Sequence, residues 1–203
     1  MNKPIKLPDI QNITVSGRIA SGASTLAIHL SQVLGWEFLN GGEIFRQFTT
    51  EKKLDIILTN TRPDKFDLEY EEKIKKLLKE KSYQIIQSHL AGFNAQGIEG
   101  IFKILVVCED DLGEDKRDIR IDRLVNRDGK KVEDAKLEIV ERERQNLEKW
   151  RRLYAGNDKD WVYWDKKYYD LVVNTYSLNA QESTQTVLDA IGYKSLIKKW
   201  KKT

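Results

Sequence analysis

Apolar positions along the chain follow two patterns, short continuous runs and longer stretches in which they recur every three or four residues. Five runs have the length and composition of buried strands, at residues 12–16, 36–40, 83–87, 102–107 and 169–174. The helical pattern occupies residues 24–34, a segment from Gly41 onward, and residues 66–81, 115–128, 132–154 and 180–191. Strands that alternate with helices predict parallel pairing through right-handed crossovers. We therefore predict a three-layer α/β/α fold around a parallel sheet of about five strands.

The segment between the first strand and the first helix has the spacing of a phosphate-binding loop. In the pattern G-x-x-x-x-G-K-[ST], the lysine contacts the terminal phosphates and the hydroxyl contacts magnesium. Gly17, Gly22 and the hydroxyl of Ser24 fit this pattern, but Ala23 stands at the lysine position. Backbone N–H groups in such a loop bind phosphate oxygens, which predicts a site at Gly17, Arg18, Ala20, Ser21, Gly22, Ala23, Ser24 and Thr25. The alternative is a tight strand-to-helix turn without a ligand.

Composition is that of one globular domain. The 203 residues suffice for one sizeable core and include no run of 18 apolar residues. The N-terminus lacks the apolar core of a secretory signal, so we expect a cytoplasmic protein without a membrane segment. The single cysteine, Cys108, excludes an internal disulfide and a cysteine-rich metal cluster. A net charge of +3 is nearly balanced and does not predict a nucleic-acid partner.

The arginines are concentrated in one segment, since eight of eleven lie between Arg117 and Arg152. A guanidinium is planar and can bind phosphate oxygens in pairs, so this segment is a candidate for phosphate contacts. Because acidic residues are interspersed with these arginines, the alternative is a solvated, salt-bridged helical face. Ligands of parallel sheets bind beyond the carboxyl ends of strands, where the sequence places Gly42, Arg46, His89 and Gly92. Arg46 as an exposed helix charge and His89 as an ordinary loop histidine are the alternatives.

From Asn12 to Ile191 the sequence resembles the (d)CMP kinases, in particular their short forms within the nucleoside-monophosphate kinases. Gly41-Gly-Glu-Ile-Phe-Arg46 is similar to the segment whose arginine holds the acceptor monophosphate, and Ser88-His-Leu-Ala-Gly-Phe93 is similar to a Gly-Arg-Leu-Ala-Gly segment with the same role. Residues 119–129 resemble the family's helical lid, with Arg120, Arg123 and Arg127 on one helical face. Arg142 fits the arginine that follows the lid.

The resemblance implies a P-loop kinase that transfers the γ-phosphate of ATP to CMP or dCMP with Mg²⁺, as a monomer. Two of the three prolines near the N-terminus predict a lead-in at residues 1–10, and the lysines near the C-terminus predict a basic tail at 193–203. Between them we expect a kinase domain at 11–192 with a mobile lid at about 115–155. Ser24 would bind the metal, and Arg18 and the lid arginines would stabilise the transferring phosphate. The acceptor would be held by Gly42, Arg46, Asp67, His89 and Gly92; Asp67 is a candidate for base recognition, or a plain acid at a helix start.

Three positions depart from the family pattern, namely Ala23 for the phosphate lysine, His89 for an acceptor arginine and Lys149 for a further arginine. One hypothesis is that Arg18 supplies the charge lost at Ala23. The alternatives are that the lid arginines suffice, or that Arg18 faces solvent and the enzyme is impaired. The chain would then be a degenerate nucleotide-binding protein with little turnover. A third function, from another class, is a basic adaptor that binds an acidic partner or nucleic acid through residues 194–202.

Overall fold

The computed structural model describes residues 4–51 and 63–193. Five parallel strands form one sheet in the order β2-β3-β1-β4-β5. All five predicted strands are present, with ends that differ from the prediction by at most two residues. They are β1 (Asn12–Gly17), β2 (Glu37–Asn40), β3 (Gln84–Gln87), β4 (Ile101–Val107) and β5 (Leu171–Asn174).

The predicted helices connect and cover these strands, with one interruption in the lid and one additional short helix at Ala91–Asn94. They are α1 (Ala23–Leu34), α2 (Gly41–Glu51), α3 (Asp64–Glu80), α4 (Ala91–Asn94), α5 (Arg117–Asp128), α6 (Val132–Leu137), α7 (Glu143–Tyr154) and α8 (Ala180–Ala190). The prediction of one helix over residues 132–154 is wrong, because a π-helical turn at Glu138–Arg142 separates α6 from α7. The wider turn buries Ile139 while Leu137 and Val140 stay exposed, and such turns are frequent at functional sites.

Alternate side chains of the central strands build a core on each face of the sheet. On one face, α1 and α8 pack through Leu30 and Val187 against residues such as Ile85. On the other face, α3 and α4 pack through Ile74 and Ala91 against residues that include Ile86. Because successive side chains of a strand point to opposite faces, this arrangement gives the predicted three layers.

The ends of the described chain bear on two predictions. Residues 4–10, predicted as a lead-in, are fixed to the core, since Ile5 N donates to Leu34 O at 3.0 Å and Trp36 Nε1 donates to Ile5 O at 2.8 Å. The predicted basic tail lies outside the described residues from 194 onward. Across the described part of the chain, no helix combines the length and the apolar character needed to cross a membrane.

Candidate active site

The loop between β1 and α1 takes a conformation that depends on its two glycines. A Cβ at Gly17 would lie 2.8 Å from the carbonyl oxygen of Val106, so a side chain there is excluded. Gly22 has a φ of 100°, in a region that L-residues with side chains rarely adopt. Ala20 has a φ of 59° and stores some strain. The predicted phosphate loop is therefore a defined backbone structure at the start of an α-helix.

A cavity of about 800 Å³ runs across this loop, a volume within the usual range for ligand sites. All eight predicted loop residues line it. Of the other predicted site residues, the structure also brings to this cavity Gly42, Asp67, His89, Arg123, Arg127 and Arg142. The hydroxyl of Ser21 is buried and has no hydrogen-bond partner among the described residues. A loop with an unused donor in its wall fits an anionic ligand such as a phosphate chain.

The residues near Ser24 suit a magnesium ion that is bound mainly by phosphates and water. Ser24 Oγ donates to Gln87 Oε1 at 3.2 Å, and both residues line the cavity. Within residues 4–51 and 63–193, no three or more His, Cys, Asp and Glu side chains form a group that could hold a metal. Magnesium usually retains several waters and takes only one or two protein oxygens beside substrate phosphates. The hydroxyl of Ser24 fits that requirement.

Arg18, the second residue of the loop, contacts the predicted lid. Its Nη2 lies 2.7 Å from Glu143 Oε2, and its Nη1 lies 3.3 Å from Asp115 Oδ2. Its guanidinium stacks on Trp164, with 4.5 Å between Cζ and the ring centroid. Because the side chain is only 19% exposed, the alternative in which Arg18 faces solvent is wrong.

Arg120 completes this network below the loop. It is fully buried and donates to Asp115 Oδ1 at 2.9 Å and to Glu143 Oε1 at 2.8 Å. It also donates to the carbonyl oxygen of Ile19 at 2.7 Å, while the N–H of Ile19 donates to Glu143 Oε1 at 3.2 Å. Burial alone would raise the pKa of Glu143, but the hydrogen bonds from the two arginines outweigh it and lower the pKa. Both backbone groups of a loop residue are thus held by lid side chains.

The remaining lid arginines lie around the cavity with different partners. Arg123 spans its rim and donates to Thr175 Oγ1 at 2.9 Å and to the Thr175 carbonyl oxygen at 2.7 Å. Arg127 pairs with Asp128 on its own helix, and Arg142 pairs with Glu138 inside the π-helical turn. The side chains of Arg127 and Arg142 are 60% and 51% exposed, so a ligand can recruit them without breaking a buried pair.

His89 lies beside the phosphate loop in a wall of aromatic rings. Its Nδ1 is 2.8 Å from the carbonyl oxygen of Gly17, so Nδ1 carries the hydrogen and Nε2 is an acceptor when the ring is neutral. The imidazole packs against Trp150 and Tyr163, each at 5.8 Å between ring centroids. Burial lowers the pKa of His89, and the charge of Arg142 lowers it further. The acceptor arginine of the family pattern is therefore replaced by a neutral side chain.

At the far end of the cavity, α3 and α7 bring buried acidic and basic side chains together. The sequence did not predict that Asp67 and Lys149 would meet, and Glu71 was not among the predicted site residues. Asp67 is ion-paired with Lys149, and both are buried. Glu71, one helical turn further along α3, is 6% exposed and accepts from Asn94 Nδ2 at 2.6 Å. Burial raises the pKa of Glu71 to about 8. The spacing of Asp67 and Glu71, four residues apart on one helical face, was the available signal for this pair.

Three predicted site residues are not brought to the cavity by described contacts. Arg120 does not line the cavity, because the N-terminal part of α5 is buried beneath the loop. Gly92 also lies outside it: its N–H donates to Ser16 Oγ at 2.9 Å, and Tyr169 occupies the space where a Cβ would be. Arg46 falls on α2, and its side chain is outside the described part of the structure.

A glycine loop after the central strand of a 2-3-1-4-5 parallel sheet, with a helical lid rich in arginine, defines a P-loop kinase. Solved structures share this fold. The shikimate kinase of Acinetobacter baumannii has a TM-score of 0.55 at 16% identity, covering 92% of this chain and 96% of that one. A gluconokinase from Sinorhizobium meliloti has a TM-score of 0.54 at 9% identity, covering 98% and 100%.

Sequence relatives narrow this class to one family. The cytidylate kinase of Haloarcula marismortui is 31% identical, covering 88% of each chain. The cytidylate kinase of Sulfolobus acidocaldarius is 30% identical, covering 91% of this chain and 96% of the relative. No family model matches the chain. With these identities over nearly the full length, the chain belongs to the cytidylate kinase family.

Proposed function

We propose that the protein transfers the γ-phosphate of ATP to CMP or dCMP. One observation carries the proposal beyond family membership: a single cavity extends from the phosphate loop in two directions. One end is bounded by the β5–α8 segment, with Thr175 and Asn179, and the other by α2, α3 and α7, with Gly42 and Trp150. Two nucleotides whose phosphates meet at the loop would each have an end for the nucleoside.

The donor phosphates are proposed to bind at Gly17–Thr25, where backbone N–H groups and the N-terminus of α1 attract anions. The hydroxyl of Ser24 would help to hold magnesium, which would supply neutralisation of part of the phosphate charge. The phosphate of the acceptor is proposed to bind Arg46 and His89. Gly92 and Arg120, which do not line the cavity, would act by fixing the backbone on either side of it.

Phosphoryl transfer requires positioning and charge neutralisation more than covalent participation by the protein. In the proposed mechanism, Arg123, Arg127 and Arg142 close over the transferring group and replace the charge that the lysine position lacks. The aromatic wall around His89 would limit access of water, so that ATP is not hydrolysed. Because Nδ1–H is directed to the Gly17 carbonyl oxygen, a neutral His89 would offer only the acceptor Nε2 at the acceptor phosphate, to a water molecule or a protonated phosphate oxygen.

The alternative from the sequence is a nucleotide-binding protein with little turnover, because Ala23 replaces the lysine. It is not favoured, since the relatives at about 30% identity are named as kinases. The adaptor alternative depends on residues 194–202, which lie outside the described residues, and it stays a prediction from the sequence. A monomeric state, a cytoplasmic location and the absence of a nucleic-acid partner remain predictions from the sequence.

The proposal is tested by ADP release in the presence of ATP, Mg²⁺ and a panel of CMP, dCMP, UMP, AMP and dTMP. We expect kcat/KM to be highest for CMP or dCMP, and turnover to be lost when magnesium is chelated. Better phosphorylation of AMP or UMP under matched conditions would overturn the assignment of the acceptor. Nucleotide binding without measurable transfer would support the degenerate alternative.

A further inference from the structure

The end of the cavity beyond the phosphate loop combines aromatic walls with buried polar groups. Phe45, Tyr70 and Trp150 supply rings, and Asp67, Glu71 and Asn146 supply polar side chains. Rings that offer flat apolar surface beside a few placed hydrogen-bonding groups are the usual composition of a site for a heteroaromatic ligand. This end lies on the side of the loop where the proposed function puts the acceptor nucleoside.

The neighbouring Asn94 determines which oxygen of the Glu71 carboxyl group accepts a hydrogen bond and which carries the proton. Asn94 Nδ2 is a donor, so Glu71 Oε2, which it contacts at 2.6 Å, must be an acceptor. The carboxyl is neutral at pH 7, because burial raises its pKa to about 8 despite the opposing hydrogen bond from Asn94; the charge of Asp67 raises the pKa and that of Lys75 lowers it to smaller extents. The proton of the neutral acid therefore belongs on Oε1. Glu71 then offers one donor and one acceptor side by side.

We infer that Glu71, oriented by Asn94, is the residue that makes the site select cytosine over uracil. The inference rests on the proposed function and deepens it. Cytosine presents an acceptor, N3, next to a donor, the N4 amino group; Oε1–H would donate to N3 while Oε2 accepts from N4. Uracil in the same position sets its N3–H against Oε1–H and its O4 against Oε2. Sites built on such pairs reject the mismatched edge strongly.

Asp67 strengthens the same preference from the neighbouring turn of α3. Its carboxylate, paired with Lys149, offers acceptors only. An acceptor-only group favours a base that carries an exocyclic amino group over one that carries a carbonyl oxygen. Adenine presents the same amino and ring-nitrogen pattern as cytosine, so Glu71 excludes uracil and does not decide between CMP and AMP.

The groups around Glu71 make a pH experiment interpretable. They are Asp67, Tyr70 and Lys75 on α3, Asn94 on α4, and Lys149 and Tyr154 on α7. Burial raises the pKa of Tyr70 and of Tyr154, so neither tyrosine titrates between pH 6 and pH 9. Above pH 8, an ionised Glu71 loses the donor that faces N3, and the preference for cytosine should weaken.

The test compares two variants that should differ in their preference for CMP over UMP only if the hydrogen-bond polarity of residue 71 determines that preference. In Glu71→Gln the amide reproduces the neutral acid, with its oxygen toward Asn94 and its NH₂ toward N3. We expect this variant to keep the preference for CMP over UMP and to lose its decline above pH 8. In Glu71→Gln with Asn94→Asp the new carboxylate accepts from the amide nitrogen, which reverses the polarity. We expect the CMP/UMP ratio of kcat/KM to fall by roughly tenfold to a hundredfold.

Binding of CMP and UMP is measured in parallel by calorimetry, with Glu72→Gln as a control on the exposed side of the same helix. Tighter binding of CMP than of UMP without turnover would reject the kinase function but keep the inference. Equal binding of CMP and UMP by the natural protein would overturn the inference alone, as would an unchanged ratio in the double variant. Failure to bind either nucleotide would overturn both.

Discussion

Arg18 Nη2 and Glu143 Oε2 lie 2.7 Å apart, which joins the phosphate loop to the first residue of α7. With Asp115 on its other side, the guanidinium already faces two carboxylates. A phosphate would have to share the guanidinium of Arg18 with these carboxylates. The structure therefore favours a role for Arg18 in fixing the loop, and leaves the charge lost at Ala23 to the lid arginines that line the cavity.

Arg18→Ala and Ala23→Lys test this division of roles. We expect Arg18→Ala to lower the thermal unfolding midpoint and to change kcat by less than about tenfold in the folded enzyme, because Arg123, Arg127 and Arg142 remain. Ala23→Lys should raise kcat/KM by less than about tenfold, since one more cation adds little to a site that is already compensated. Steady-state kinetics and thermal unfolding of both variants provide the measurement.

Two other outcomes are informative. A loss of turnover in Arg18→Ala that far exceeds its loss of stability, with partial rescue by Ala23→Lys, would show that Arg18 neutralises the phosphates. A well-placed cation is expected to contribute about 3–4 kcal/mol, which corresponds to a rate increase of several hundredfold. If Ala23→Lys alone raised a negligible rate by that factor, the natural protein would be a nucleotide-binding protein with little turnover.

Glu143→Gln should be among the most damaging conservative changes in the lid. It leaves the buried Arg120 with one carboxylate instead of two, and we expect a loss of about 3 kcal/mol in the free energy of unfolding. Glu141→Gln, two residues earlier on an exposed pair, should change it by less than about 0.5 kcal/mol. Urea unfolding measures both, and equal effects would contradict a special role for Glu143.

The same carboxylate predicts a pH dependence at the acid end. Because the pKa of Glu143 is lowered in the folded state, its contribution to stability is present above the unfolded pKa and is lost as pH falls through the folded one. The free energy gap between the natural protein and Glu143→Gln should therefore narrow below about pH 4. A gap that stays constant down to about pH 3 would argue against the ion pairs as its source.

Glu71 predicts the opposite dependence near neutral pH. Its folded pKa of about 8 lies above the usual 4.5, so the unfolded chain releases this proton first as pH rises. Stability relative to Glu71→Gln should decline between about pH 5 and pH 8, by at most about 1.4 kcal/mol per pH unit, and then level off. Urea unfolding at each pH, without nucleotide, provides the measurement. A flat difference would mean that Glu71 is ionised in the folded protein.

His89 should be neutral and in the Nδ1–H form at pH 7. Burial holds the pKa of His89 below 6.5. As pH falls from about 7 to about 5, the unfolded state therefore binds a proton that the folded state does not bind. The folded protein should then lose stability relative to His89→Asn. Nitrogen-detected NMR of the imidazole reports the tautomer and the titration midpoint directly. A midpoint above 6.5 in the unliganded protein would contradict the burial argument.

The lid should move only in its outer part. Arg120 near the start of α5 and Glu143 at the start of α7 anchor the lid to the loop, whereas Arg127 and Arg142 pair only with neighbours. Hydrogen exchange should therefore show new protection at about residues 124–142 when both nucleotides bind, and little change near the anchors. Equal protection with and without nucleotides would contradict this prediction and indicate a rigid pair of salt-bridged helices.

The sequence predicted what depends on local periodicity and failed where distant segments meet. Strand ends and the glycine loop follow from short-range patterns, so their positions were predicted to within two residues. Helical spacing placed Arg120, Arg123 and Arg127 on one face of α5. It could not show that Arg120, at the N-terminal end of that face, is buried. The pairing of Asp67 with Lys149 joins helices that are far apart in the chain, and only tertiary packing reveals it.

The position of β1 in the sheet has a consequence for the order in which the protein matures on the ribosome. Its partners are β3 and β4, so β1 must wait for more than eighty further residues before it is flanked on both sides. The Ile19 contacts need residue 143 as well. During synthesis, the nucleotide-binding loop thus emerges long before the residues that fix its final shape.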